Sequence, residues 1–193
     1  SIYNLAQSIA ANFGVPATSP LDAALWPQTT FDRIVFFLTD GLGYKLLNQL
    51  SADEDLRATL ADLSDGRGPV PLTSISPSTT ATALPTLWTA APPAQHGMMG
   101  THMFLRDFAM LGDMLRFSPS VSKNAQGIFA EWGLNAEDFI PLPAMGTMLS
   151  DAGVETHQLL QHDLVKSGLS LLLHRGIQHF PPHVGFRDMW LRL

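Results

Sequence analysis

Cysteine is absent from all 193 residues, and with it go disulfides, thiolate metal sites and thiol nucleophiles. Basic charge is scarce: 11 Lys+Arg against 17 Asp+Glu leave a net charge of −6, which argues against a nucleic-acid partner held by phosphate neutralisation. No apolar run approaches the ~20 residues of a membrane-spanning helix, so no membrane partner is expected. No basic-then-apolar leader follows Ser1-Ile2-Tyr3, a start that favours the cytoplasm over secretion. The G-x-S-x-G elbow, the P-loop and the G-x-G-x-x-G fingerprint are missing as well. What the chain has in quantity is apolar surface, 46% of residues against 15% charged, enough to build a core. The length suits one domain or part of a larger one. At the far end, residues 186–193 read as an amphipathic helix with no Gly, Asn or Pro stop behind it. The expectation is therefore a fragment of something longer.

Along the chain, Ile2, Leu5, Ala6, Ile9, Ala10 and Phe13 fall at helical spacing, and Gly14-Val15-Pro16 stops them. Ile34-Val35-Phe36-Phe37-Leu38 is a short apolar run without polar alternation, the habit of a strand covered on both faces in a parallel sheet. Leu46, Leu47 and Leu50 restore the helical period. A strand over 70–75, a turn at Ser76-Pro77-Ser78 and a helix over 80–90 form a second, less regular unit. Residues 101–117 fit strand or helix equally; 143–152 read as a helix ending at Gly153, and 154–160 as a further strand. The alternation predicts an α/β protein with a mainly parallel sheet.

Two places carry candidate chemistry. Asp40 stands at the carboxyl end of the apolar run, followed by Gly41 and Gly43, where open α/β sheets place their ligands. A carboxylate there suits a cation such as Mg²⁺, Mn²⁺ or Zn²⁺, and equally suits capping of the helix that follows. Gly68 to Leu105 contains no Asp, Glu, Lys or Arg, although a 15% share would place about 6 there. Within it, Pro77-Ser78-Thr79-Thr80-Ala81-Thr82 crowds hydroxyls at a helix start. The free amides of a first helical turn bind anions, and a hydroxyl presented there is placed to attack phosphorus. The same residues also serve as an ordinary N-cap with a small-residue helix behind it. Pro85 would lie beyond the first turn of a helix beginning at Thr80, so the helix either starts nearer Thr82 or bends. His96, before Gly97, fits a ligand role or a local hydrogen bond. His179 and His183 are four apart, but Pro181-Pro182 forbids the regular helix that a metal pair at that spacing needs.

Taken in order, Thr39-Asp40-Gly41-Leu42-Gly43, then Pro77-Ser78-Thr79-Thr80-Ala81-Thr82 and Thr86-Leu87-Trp88-Thr89, then Pro93-Ala94-Gln95-His96-Gly97-Met98-Met99-Gly100 resemble the alkaline phosphatase superfamily. Within it, the nucleotide pyrophosphatase/phosphodiesterase branch is the nearer match, over roughly residues 33–117. The resemblance implies a three-layer α/β/α sandwich of which residues 1–193 are the N-terminal part, the C-terminal part being absent. It implies Asp40 as ligand to one of two divalent metal ions, usually zinc, and Thr80 as the nucleophile that also touches that metal and is covalently modified. Thr79 is the neighbour onto which the match would slip by one residue. Thr101 falls where the branch often has an Asn that donates to the phosphate, and the Ala81 amide is a further candidate donor. The superfamily's D-x-x-x-H and D-H-G elements and its further His are not found before Leu193, so the second metal site is incomplete. The implied activity is metal-dependent hydrolysis of a small phosphate ester or nucleotide through a Thr-bound intermediate, with the 193 residues alone inactive or nearly so. The alternatives are a sulfatase or phosphomutase cousin, a non-enzymatic α/β domain, and a haloacid-dehalogenase-type phosphatase using Asp40. Against the last, Leu42 stands where that pattern needs its second Asp.

Overall fold

The computed structural model describes residues 1–27, 29–179 and 181–192, and divides into two compact units, residues 1–21 with 74–193 and residues 22–73. In the first, α1 (Ile2–Asn12) ends where Gly14 adopts a positive φ of 79° and passes the chain into the loop toward Pro16. The helix expected after Thr79 is α4 (Thr80–Thr89), followed at once by α5 (Pro93–His96). The ambiguous stretch 101–117 resolves into antiparallel strands β1 (His102–Leu105) and β2 (Met110–Asp113), joined by a 3₁₀ turn that closes with Ala109 in the left-handed region; β3 (Ser118–Pro119) pairs along β2. Short helices follow: α6 (Ile128–Glu131), α7 (Ala136–Phe139), α8 (Met145–Asp151) and α9 (Gly168–Leu173). The expected strand over 154–160 is present only as β4 (His157–Gln158), which pairs in parallel with β5 (Gln178–His179). The last helix is α10 (Phe186–Arg192), and Leu193, where the sequence reading ended it, lies outside the described residues.

Helix α4 is the wall shared by two apolar clusters. On one side, Ala81 packs with Met98, Leu105, Met114, Phe117, Phe129, Ile140, Leu169, Leu172 and Leu173. Phe117 and Phe129 meet edge to face at 5.6 Å between ring centroids, the geometry that the ring quadrupole favours. On the other side, Leu87 and Ala90 pack with Ala6 of α1, and Leu84 and Trp88 touch both clusters. Two buried polar side chains of α1 fix the surroundings. The Gln7 amide donates to the carbonyl of Ala90 at the end of α4, while its oxygen accepts from the Thr18 and Ser19 amides at 2.8 and 3.3 Å. Ser8 accepts from the Leu21 amide at 2.8 Å. Gln7→Leu would leave the buried Ala90 carbonyl and the Thr18 and Ser19 amides without this partner, costing roughly 2 kcal/mol and lowering Tm by about 4–8 °C in thermal unfolding. An unchanged Tm would show that α4 is held by its apolar faces alone.

The second unit comprises α2 (Tyr44–Leu50), α3 (Glu54–Leu63) and irregular chain. The Asp53 carboxylate accepts from the Leu56 amide at 3.0 Å, capping α3, and Glu54 and Asp55 favour the positive end of the helix dipole. At the other end the Gly66 amide reaches the Ala61 carbonyl at 2.7 Å, with Asp65 and Gly66 both at positive φ.

Two expectations are corrected here. Residues 34–38 form no strand and pair with no described strand, and Val35 is 68% exposed. Residues 70–75 likewise form no strand. An apolar run marks chain that is fit to be a covered strand; the backbone bonds must come from neighbouring strands and the cover from helices. This 52-residue unit holds no partner strand among its described residues, and none of those residues is buried. Among the described residues the chain is a mixed helix-and-sheet protein, consistent with an α/β fragment, whose three-stranded sheet is small and antiparallel.

Candidate active site

Thr79 is the N-cap of α4, with extended φ of −103° and ψ of 154°, and Thr80 is the first helical residue. The helix begins at Thr80, not nearer Thr82, and takes Pro85 into its interior. Two hydroxyls bond back along the helix on either side of the proline: Thr86 Oγ1 donates to the Thr82 carbonyl at 3.0 Å and Thr89 Oγ1 to the Pro85 carbonyl at 2.7 Å.

The two adjacent threonines differ in engagement. Thr79 Oγ1 lies 3.1 Å from Thr82 Oγ1 and caps no amide, while the Thr79 carbonyl accepts from the Thr82 and Ala83 amides at 3.0 and 2.8 Å. Thr80 is exposed, and its hydroxyl has no partner among the described residues. The amides of Thr80 and Ala81 likewise meet no acceptor among the described residues, so the positive end of α4 keeps two donors open beside the Thr80 hydroxyl. Ala81 itself is fully buried and anchors this turn in the larger core.

Thr101 is half-buried just before β1, where its carbonyl accepts from the Met114 amide at 2.8 Å. Leu105 and Met114 of the hairpin share their core with Ala81, so Thr80, Ala81 and Thr101 belong to one packed unit. Asp40 belongs to the other. It is exposed in a turn with Gly41 at φ 74°, and it does not cap α2: the N-cap there is Gly43, with no side-chain cap bond.

His96 is a structural histidine. It is 1% exposed, its Nδ1 accepts from the Met98 amide at 3.1 Å, and its Nε2 lies 3.0 Å from Thr86 Oγ1. Because the Thr86 hydroxyl donates to Thr82, His96 must donate from Nε2, which specifies the neutral ring. Burial lowers its pKa from 6.5 to about 4, opposed by a backbone hydrogen bond at His96 itself. Between those values the unfolded chain takes a proton that the folded chain refuses. Stability is complete above pH 6.5, falls by up to about 3 kcal/mol as pH drops toward 4, and then levels off. His96→Gln should flatten that part of the stability–pH curve in denaturant titrations; an unaltered acid limb would assign it to other groups. The local bond, not a ligand role, is what the structure shows for this residue.

Among the described residues no group of three or more His, Asp or Glu side chains gathers to hold a metal ion. Residue 179 lies in β5, so 179 and 183 are not at helical spacing. One exposed carboxylate and one hydroxyl do not make the donor set of a two-metal centre, and the described residues by themselves do not fit that pair of ions.

Comparison with known proteins agrees with the ordered motifs. The family model for type I phosphodiesterase/nucleotide pyrophosphatase matches residues 34–140, more than half of the chain. The chain belongs to that family, whose members point to hydrolysis of phosphate esters. Comparison with curated proteins and with solved structures gives no match.

Proposed function

We propose that this chain supplies the nucleophile half of a metal-dependent hydrolase of phosphate diesters or nucleotides, with Thr80 as nucleophile. The observation that carries the proposal is the contrast at the head of α4: the Thr79 hydroxyl is tied to Thr82, whereas the Thr80 hydroxyl is exposed and, like the Thr80 and Ala81 amides beside it, has no partner among the described residues. Thr80 Oγ would bond to phosphorus as the bond from phosphorus to the leaving oxygen breaks; water would then cleave the Oγ–phosphorus bond and return the free hydroxyl. The Thr80 and Ala81 amides would stabilise charge gathering on the phosphoryl oxygens, and the Thr101 hydroxyl would donate to the same group.

Asp40 and Thr80 are the donors that this chain would offer to divalent ions, zinc in the superfamily it resembles. Such ions supply charge neutralisation for the attacking and leaving oxygens. The described residues do not complete that centre, so turnover is assigned to the whole catalytic domain and the 193 residues alone are expected to be inactive or nearly so. The parallel three-layer sandwich is likewise proposed for that whole domain.

The test is hydrolysis of a chromogenic phosphodiester by the full-length gene product with Zn²⁺, beside a phosphomonoester and a sulfate ester. The diester should be preferred. Asp40→Asn should lower turnover about 100-fold or more and weaken the response to added Zn²⁺. Preference for the sulfate ester would place the protein with the sulfatases, and full activity of Asp40→Asn would remove Asp40 from the site.

A further inference from the structure

We propose that His96 and Thr86 are positioning residues for Thr80, a role that deepens the preceding reading and rests on it. Helix α4 carries a defect in its hydrogen-bond ladder. Pro85 has no amide hydrogen, so the Ala81 carbonyl receives no bond from position 85, and the first turn of α4 is tied to the rest of the helix by one ladder bond fewer than usual. A chain of buried side-chain bonds bridges this gap. The Met98 amide donates to His96 Nδ1 at 3.1 Å, His96 Nε2 meets Thr86 Oγ1 at 3.0 Å, and Thr86 Oγ1 donates to the Thr82 carbonyl at 3.0 Å. Thr82 Oγ1 then meets Thr79 Oγ1 at 3.1 Å, on the residue directly before Thr80.

The first three bonds set one another's direction. The Met98 amide makes Nδ1 an acceptor, which leaves the proton on Nε2; that proton occupies Thr86 Oγ1, which turns its own hydrogen onto Thr82. His96, Thr82 and Thr86 are all buried to 1% exposure or less, so water does not substitute for a missing member. The chain ends beside the hydroxyl that must sit in line with phosphorus, where a displacement near 1 Å costs about 100-fold in rate. His96 touches neither substrate nor reacting atoms. It acts through Thr86, Thr82 and Thr79.

The variants separate this role from simple packing. His96→Asn keeps an acceptor for the Met98 amide but is too short to donate to Thr86; His96→Gln places an amide donor near the position of Nε2. In the full-length enzyme, His96→Asn should lower kcat about 10- to 100-fold with KM nearly unchanged, and His96→Gln should recover most of the loss. Thr86→Val, nearly isosteric, should reproduce the His96→Asn loss, and the double variant should lose no more than either single one. Independently of activity, amide hydrogen exchange at residues 80–84 should quicken in His96→Asn and Thr86→Val but not in His96→Gln. Should His96→Asn fail to fold, Thr86→Val carries the test. Wild-type kcat in Thr86→Val, or unchanged exchange at the head of α4, would overturn the positioning role. Retained turnover in Thr80→Ala would instead overturn the nucleophile assignment and leave the exchange result standing.

Discussion

Replacing Thr80 by alanine in the full-length protein should reduce phosphodiester turnover by about 1,000-fold or more, because the step that forms the covalent bond is lost outright. The same change should barely alter stability, since Thr80 is exposed and its hydroxyl bonds to none of the described residues. That combination distinguishes a nucleophile from a helix cap. Loss of an N-cap hydroxyl costs about 1 kcal/mol of stability and leaves the chemistry alone. Thr80→Ser should retain part of the activity, as it keeps the oxygen and loses only the methyl group that restricts its rotamer. Thr79→Ala should cost far less turnover, because the Thr79 hydroxyl serves the Thr82 contact rather than open space. Kinetics of the three variants against one chromogenic diester, with Tm for each, give the comparison. Loss at Thr79 with retention at Thr80 would move the nucleophile by one residue.

The second large effect is structural. Gly168→Ala should destabilise the chain by about 3 kcal/mol, lowering Tm by roughly 6–12 °C. A Cβ at Gly168 would fall on the backbone of Arg116 and Phe117, not on a side chain able to swing away. That backbone is held from two sides. The Leu169 amide donates to the Leu115 carbonyl at 3.1 Å, and the Gly127 amide to the Arg116 carbonyl at 2.8 Å. Moving the segment would also disturb Phe117, which is fully buried against Phe129 in the core that anchors Ala81. Gly185→Ala is the control: nothing lies within 4 Å of the added carbon there, and Tm should hardly change. Equal Tm values for the two variants would mean that the close approach of α9 to residues 116–117 is not a constraint.

Much of the local structure was legible because it depends on neighbours in sequence. The apolar spacing of α1 and the Gly14-Val15-Pro16 stop, the Leu46-Leu47-Leu50 period of α2, and Gly153 after α8 are all local signals. α3 carries the same kind of local signal, with Asp53 as cap and Glu54 and Asp55 in its first turn. The apolar run at 34–38 misled because its composition describes the cover it could accept, whereas strand formation depends on partners elsewhere in the chain. Residues 101–117 stayed ambiguous because the turn between β1 and β2 closes on Ala109 at φ 49°, where a Gly or Asn would have announced a hairpin. At the site, the motif order pointed to Thr80 and Asp40, and it also pointed to Thr79 as the alternative. What no spacing could supply was the direction of each hydroxyl. The sequence reading offered His96 a local bond but did not foresee Thr86 as its partner, a contact between positions ten apart that exists only once α4 and α5 have packed.

The most direct test of the nucleophile is to trap the reaction. Full-length protein incubated with a nucleotide-containing diester in Zn²⁺, quenched in acid and digested, should yield a peptide carrying one phosphoryl or nucleotidyl group, with fragmentation placing it on Thr80. An adduct on Thr79 or on another residue, or turnover that persists in Thr80→Ala with no adduct at all, would contradict the account.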